Sequence, residues 1–142
     1  MRTGMLSAVL VWLTLLTLYD LRHRRLPNWL TLPGAGVILL GAVLAGRGGP
    51  ALLGAGALGA VYLLVHLAAP AAMGAGDVKL AFGLGALTGW LGAAVWFLAA
   101  VGAPLLTALW GVVAVLRRSG PAVPHGPSMC LATVAAAALV LQ

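Results

Sequence analysis

The chain has 142 residues, of which 63% are hydrophobic, 7% are charged and 20 are glycine. A soluble domain carries about 25% charged and about 45–50% apolar residues, so this composition excludes a water-surrounded globule; it also excludes disorder, which needs the opposite bias. Eight basic residues against two acids give a net charge of +6. They stand between apolar runs rather than across one polar face, so a nucleic-acid partner is not expected.

A helix needs about 20 apolar residues to cross roughly 30 Å of hydrocarbon, so the chain holds at most about six spans. The expected fold is all-α: a polytopic membrane bundle of about six transmembrane helices, with residues 1–142 as one integral-membrane domain. The first apolar run, residues 5–19, ends at Asp20 and the cluster Arg22-His23-Arg24-Arg25. No small-residue cleavage site follows and the positive charge lies on the wrong flank for a signal peptide, so this run reads as a permanent helix. Pro27 suits the first turn of a second helix over 28–45, where its missing N–H costs nothing. Arg47-Gly48-Gly49-Pro50 reads as a turn, and a third span covers 51–69, stopping at Pro70. Residues 78–116 are nearly twice the length of one span and divide near Thr88-Gly89. A Pro/Gly-rich loop over 117–127 leads to a short sixth span over 128–142.

Alternating sides places the 20–27, 70–77 and 117–127 loops together, with Arg22, Arg24, Arg25, Lys79, Arg117 and Arg118. Arg2 and Arg47 fall on the opposite side. Positive charge stays cytoplasmic, so the expected topology is N-out/C-out in the cytoplasmic (inner) membrane. The single cysteine, Cys130, excludes a disulfide framework and a cysteine-based zinc site. No metal and no cofactor are expected.

The two acids are Asp20, at the end of the first helix, and Asp77, at the start of the fourth. This topology puts both at the cytoplasmic boundary, which would make that the active-site side. A carboxylate inside a span is costly, about 2.5–3.5 kcal/mol at the centre and less near the interface. One explanation is structural: Asp20 neutralises the arginine cluster and Asp77 caps a helix. The other is chemical. Two carboxylates a few ångströms apart cannot both ionise easily, so one keeps a proton. The ionised one activates water against a peptide carbonyl, which the protonated one polarises. No histidine pairs with an acid at metal-ligand spacing, and no nucleophile elbow is present. Gly74-Ala75-Gly76-Asp77 strips side chains from the backbone beside one acid, so a substrate strand could approach closely.

Three stretches resemble the type IV prepilin peptidases, integral-membrane aspartic proteases sharing a Gly-x-Gly-Asp signature. Tyr19-Asp20-Leu21-Arg22-His23-Arg24-Arg25-Leu26-Pro27-Asn28 is similar to the family's first-aspartate segment. Gly74-Ala75-Gly76-Asp77-Val78-Lys79-Leu80, continuing into Gly83-Leu84-Gly85, is similar to the second. Pro124-His125-Gly126-Pro127 resembles its late Pro-x-Gly-Pro loop. The resemblance implies Asp20 and Asp77 as the catalytic pair, and a prepilin or pseudopilin helix within the bilayer as substrate and partner. Paired Cys-x-x-Cys motifs of the larger, methylating members are missing. The chain therefore resembles the short core-only members, such as those serving tight-adherence (Flp-type) pili or archaeal filaments, and methyltransferase activity is not expected.

Other residues carry weaker signals. Gly74, Gly76 and Lys79 are candidates for substrate approach, although Lys79 also suits a snorkelling interface anchor. Pro27, Asn28, Gly126 and Pro127 are candidates for a substrate groove. Arg22, Arg24 and Arg25 read as anchors, His66 as a structural hydrogen-bonded residue and His125 as a loop residue. Gly54-Ala55-Gly56-Ala57-Leu58-Gly59 fits a dinucleotide fingerprint formally but lacks its strand, so it reads as helix packing. The five tryptophans read as interface or packing residues. The expected activity is cleavage of the short basic leader from type IV pilin-like precursors. Rival readings are a small proton-coupled transporter using Asp77 and an inactive scaffold of a pilus or secretion machine. A homo-oligomer is compatible with the sequence, and the lipid bilayer is the remaining partner.

Overall fold

The computed structural model describes residues 2–120 and 123–142. They form six helices: α1 (Arg2–His23), α2 (Asn28–Leu44), α3 (Gly48–Ala68), α4 (Ala75–Leu91), α5 (Ala93–Leu116) and α6 (Gly126–Val140). The fold is all-helical, with no strand among the described residues. Within them α1, over Gly4–His23, α3 and α5 are long and apolar enough to cross a membrane. The other three have 17, 17 and 15 residues, roughly 22–26 Å of helix, and so fall short of a full hydrocarbon core. Large apolar side chains cover the outside: Leu64, Leu105 and Leu139 are all well exposed. That is how a bundle solvated by lipid chains is built.

The buried centre is α4, which packs against α2, α3, α5 and α6 and buries the run from Val78 to Gly89 almost without interruption. Small residues make this possible. A methyl on Gly85 would run into the Gly54 carbonyl, and one on Gly89 would lie 3.0 Å from the Gly54 Cα, so α3 and α4 meet backbone to backbone. Close approach through glycine lets lipid-solvated helices gain dispersion contacts that bulky side chains would block. The glycine-rich stretch 54–59 therefore serves helix packing. Trp96 secures the same seam from α5, its indole N–H donating to the Gly54 carbonyl at 3.0 Å. Trp12 fixes α1 to α2 by donating to the Leu30 carbonyl at 2.9 Å.

Four expected boundaries move. Gly48, Gly49 and Pro50 form the first turn of α3 rather than a turn before it. The reversal falls on Gly46, at φ +71°, and Pro50 sits where a helix needs no N–H. Helix α4 continues through Thr88-Gly89 and breaks at Gly92, whose φ of 139° and ψ of 159° suit glycine alone. Thr88 does not interrupt the helix because its hydroxyl folds back to the Leu84 carbonyl at 2.7 Å. Helix α1 extends to His23, so Asp20 lies in its last turns, and α6 begins at Gly126. Within the loop expected over 117–127, residues 121 and 122 lie outside the described residues.

Candidate active site

Asp20 follows the long apolar run of α1, and the helix ends three residues later. Arg24, at φ +51°, turns the chain back, with its N–H donating to the Asp20 carbonyl at 2.7 Å. The Asp20 side chain is only 5% exposed, so its carboxylate needs a donor within the protein. Gly126 supplies it: its backbone N–H donates to Asp20 Oδ2 at 3.1 Å, across 106 positions of sequence. A methyl at residue 126 would collide with that same oxygen. Glycine is therefore required there by close approach.

Asp77 is the third residue of α4, where a carboxylate faces the unpaired N–H groups of the first turn. Its side chain turns back to the Gly74 N–H, while its own N–H donates to the Gly74 carbonyl at 3.1 Å. Capping and chemistry are therefore compatible at this residue. Of the two flanking glycines, Gly76 is the tight one: an added Cβ would stand 3.1 Å from the Leu26 Cβ. Gly74 would meet nothing closer than Asp77 Oδ2 at 3.7 Å. His66 steadies this corner by donating its Nδ1–H to the Met73 carbonyl at 2.7 Å.

The two acids, far apart in sequence, line one cavity of about 430 Å³ at this end of the bundle. They are close enough for the charge on Asp20 to act on Asp77. Arg24, Arg25, Leu26, Gly74, Gly76 and His125 share the lining. Arg24 and Arg25 thus line the same cavity as the acid pair, from the exposed turn after α1. The arginines had read as anchors. Their cavity position follows from the left-handed turn at Arg24, which composition does not announce.

The other candidates are placed as follows. Gly126 touches the cavity through Asp20, while Pro127 lines a separate apolar groove between α1, α5 and α6. Pro27 is the residue before α2. Asn28 accepts a hydrogen bond from Lys79 Nζ at 2.8 Å, which ties α4 to the start of α2. Sequence reading missed the surroundings of His125. Its Nε2 lies 2.9 Å from the Tyr62 hydroxyl and its Nδ1 2.6 Å from the Thr107 hydroxyl. Burial holds its pKa below the ordinary histidine value.

A lipid-solvated helical bundle with paired carboxylates in a cavity at one end defines a class: a membrane protein whose polar chemistry is confined to that end. Residues 7–140 match the type IV leader peptidase family, and the chain belongs to that family. It is, at that level, a type IV leader peptidase-like protease of the membrane. Among curated proteins and solved structures, nothing matches it.

Proposed function

We propose that Asp20 and Asp77 are the catalytic pair of an aspartic endopeptidase that removes the short basic leader from type IV pilin-like precursors. The carrying observation is that the two acids of the chain, separated in sequence by the whole of α2 and α3, line the same cavity. The ionised carboxylate takes a proton from water, and the resulting hydroxide attacks the scissile carbonyl. The protonated carboxyl donates to the carbonyl oxygen as negative charge develops there. Collapse of the tetrahedral species expels the amine, which receives its proton from the acid pair. The substrate's apolar helix stays in the bilayer against the bundle while its leader reaches the cavity.

Six of the eight basic residues lie in or beside the loops at the Asp77 end, which supports a cytoplasmic active site in the inner membrane by the positive-inside rule. A cavity at the membrane edge also counts against a transporter, whose carrier acid belongs on a path through the bilayer. The test is co-expression of a prepilin with the wild-type, Asp20→Asn and Asp77→Asn forms. Each variant is expected to lose at least about 100-fold in cleavage rate, the scale of general acid–base catalysis. Normal leader removal by either one overturns the mechanism.

A further inference from the structure

Residue 126 contributes its N–H to Asp20, and the residue before it is held by side chains from two helices, α3 and α5. The Thr107 hydroxyl donates its one proton to the Ala103 carbonyl at 3.1 Å, so towards His125 Nδ1, at 2.6 Å, it can only accept. In that arrangement the proton of a neutral ring sits on Nδ1. Nε2 is then bare and accepts from the Tyr62 hydroxyl at 2.9 Å. Tyr62 comes from α3 and is buried, Thr107 comes from α5, and His125 immediately precedes α6. The Tyr62 hydroxyl is also near enough to Asp77 to feel its charge. One chain of hydrogen bonds thus runs from the neighbourhood of Asp77 to the peptide that contacts Asp20.

We propose that Tyr62, His125 and Thr107 form a latch that sets the Gly126 N–H against Asp20 and so fixes the geometry of the acid pair. They are positioning residues: none is required to touch the substrate. The proposal rests on the catalytic reading of Asp20 and Asp77 given above. Releasing the latch leaves the cavity and its substrate contacts in place but lets the 123–126 segment drift, and a misplacement of about 1 Å at reacting groups can cost about 100-fold in rate.

Two substitutions at Thr107 separate positioning from packing. Thr107→Val keeps the volume and loses the hydroxyl; Thr107→Ser keeps the hydroxyl and loses a methyl. With full-length protein in detergent and a prepilin substrate, Thr107→Val is expected to lower kcat at least about tenfold with KM within about twofold of wild type. Thr107→Ser is expected to restore kcat to within about threefold. Tyr62→Phe should reproduce the valine result from the other ring nitrogen. Hydrogen exchange at the Gly126 amide gives a readout without activity: faster in Thr107→Val and Tyr62→Phe, near wild type in Thr107→Ser. The latch is overturned if valine matches wild type in kcat and exchange, or if serine is as impaired as valine. Wild-type protein that leaves prepilin uncut would instead sink the protease reading, with amide exchange still deciding the latch.

Discussion

At the scale of single residues, the three glycines around the acid pair do different work, and their contacts rank them. Gly126 cannot carry a methyl without displacing the Asp20 carboxylate. Gly76 meets Leu26 tightly, whereas Gly74 has only ordinary contacts and an unstrained φ of −74°. Leader cleavage should therefore fall at least about 100-fold in Gly126→Ala, by misplacing a reacting group. Gly76→Ala should give a smaller loss, because Leu26 can shift by a few tenths of an ångström, and Gly74→Ala the smallest. Measured rates in the reverse order would show that the glycines act on the substrate strand rather than on the protein. The sequence made Asp20, Asp77 and the Gly-x-Gly-Asp spacing conspicuous, because acids are so rare in this composition. It could not reveal that Gly126 meets an acid 106 positions earlier, since a loop glycine has no period to betray its partner. His125 was unreadable for the same reason: its partners come from the middle of two apolar helices.

At the scale of elements, the helices were legible from apolar run length, and their ends were not. Thr88-Gly89 looked like a break because glycine is a poor helix former in water, but here it faces α3 across a backbone contact. The seam makes a direct prediction. Gly85→Ala should destabilise the bundle by about 1–3 kcal/mol through overpacking, since its methyl would strike the Gly54 carbonyl. Gly56→Ala, in the same glycine-rich stretch as Gly54, would meet nothing within 4 Å and should leave stability unchanged or raise it slightly through helix propensity. Thermal unfolding in detergent distinguishes the two. Equal effects would mean that the α3–α4 contact is looser than close backbone packing.

At the scale of the molecule, the lipid-solvated exterior leaves little polar chemistry to titrate, and His125 is the group to watch. It lies outside the spans, at the joint between the cavity and α6. Its ring is engaged by two neutral hydroxyls and has no carboxylate among its hydrogen-bond partners. Burial depresses its pKa from the ordinary 6.5. As pH falls through 6.5, the unfolded chain takes the proton before the folded one does. The stability tied to the neutral ring is thus complete above that pH and lost as pH drops towards the depressed native value. A cation formed there would also turn Nε2 from acceptor into donor towards Tyr62, reversing the latch's polarity. Unfolding temperature should therefore decline more steeply between pH 7.5 and pH 5 in wild type than in His125→Asn, which keeps a donor towards Thr107 but does not titrate. Titration of Asp20 and Asp77 contributes to both proteins and cancels in the comparison. Parallel curves would show that the histidine is not what makes the folded state sensitive to acid.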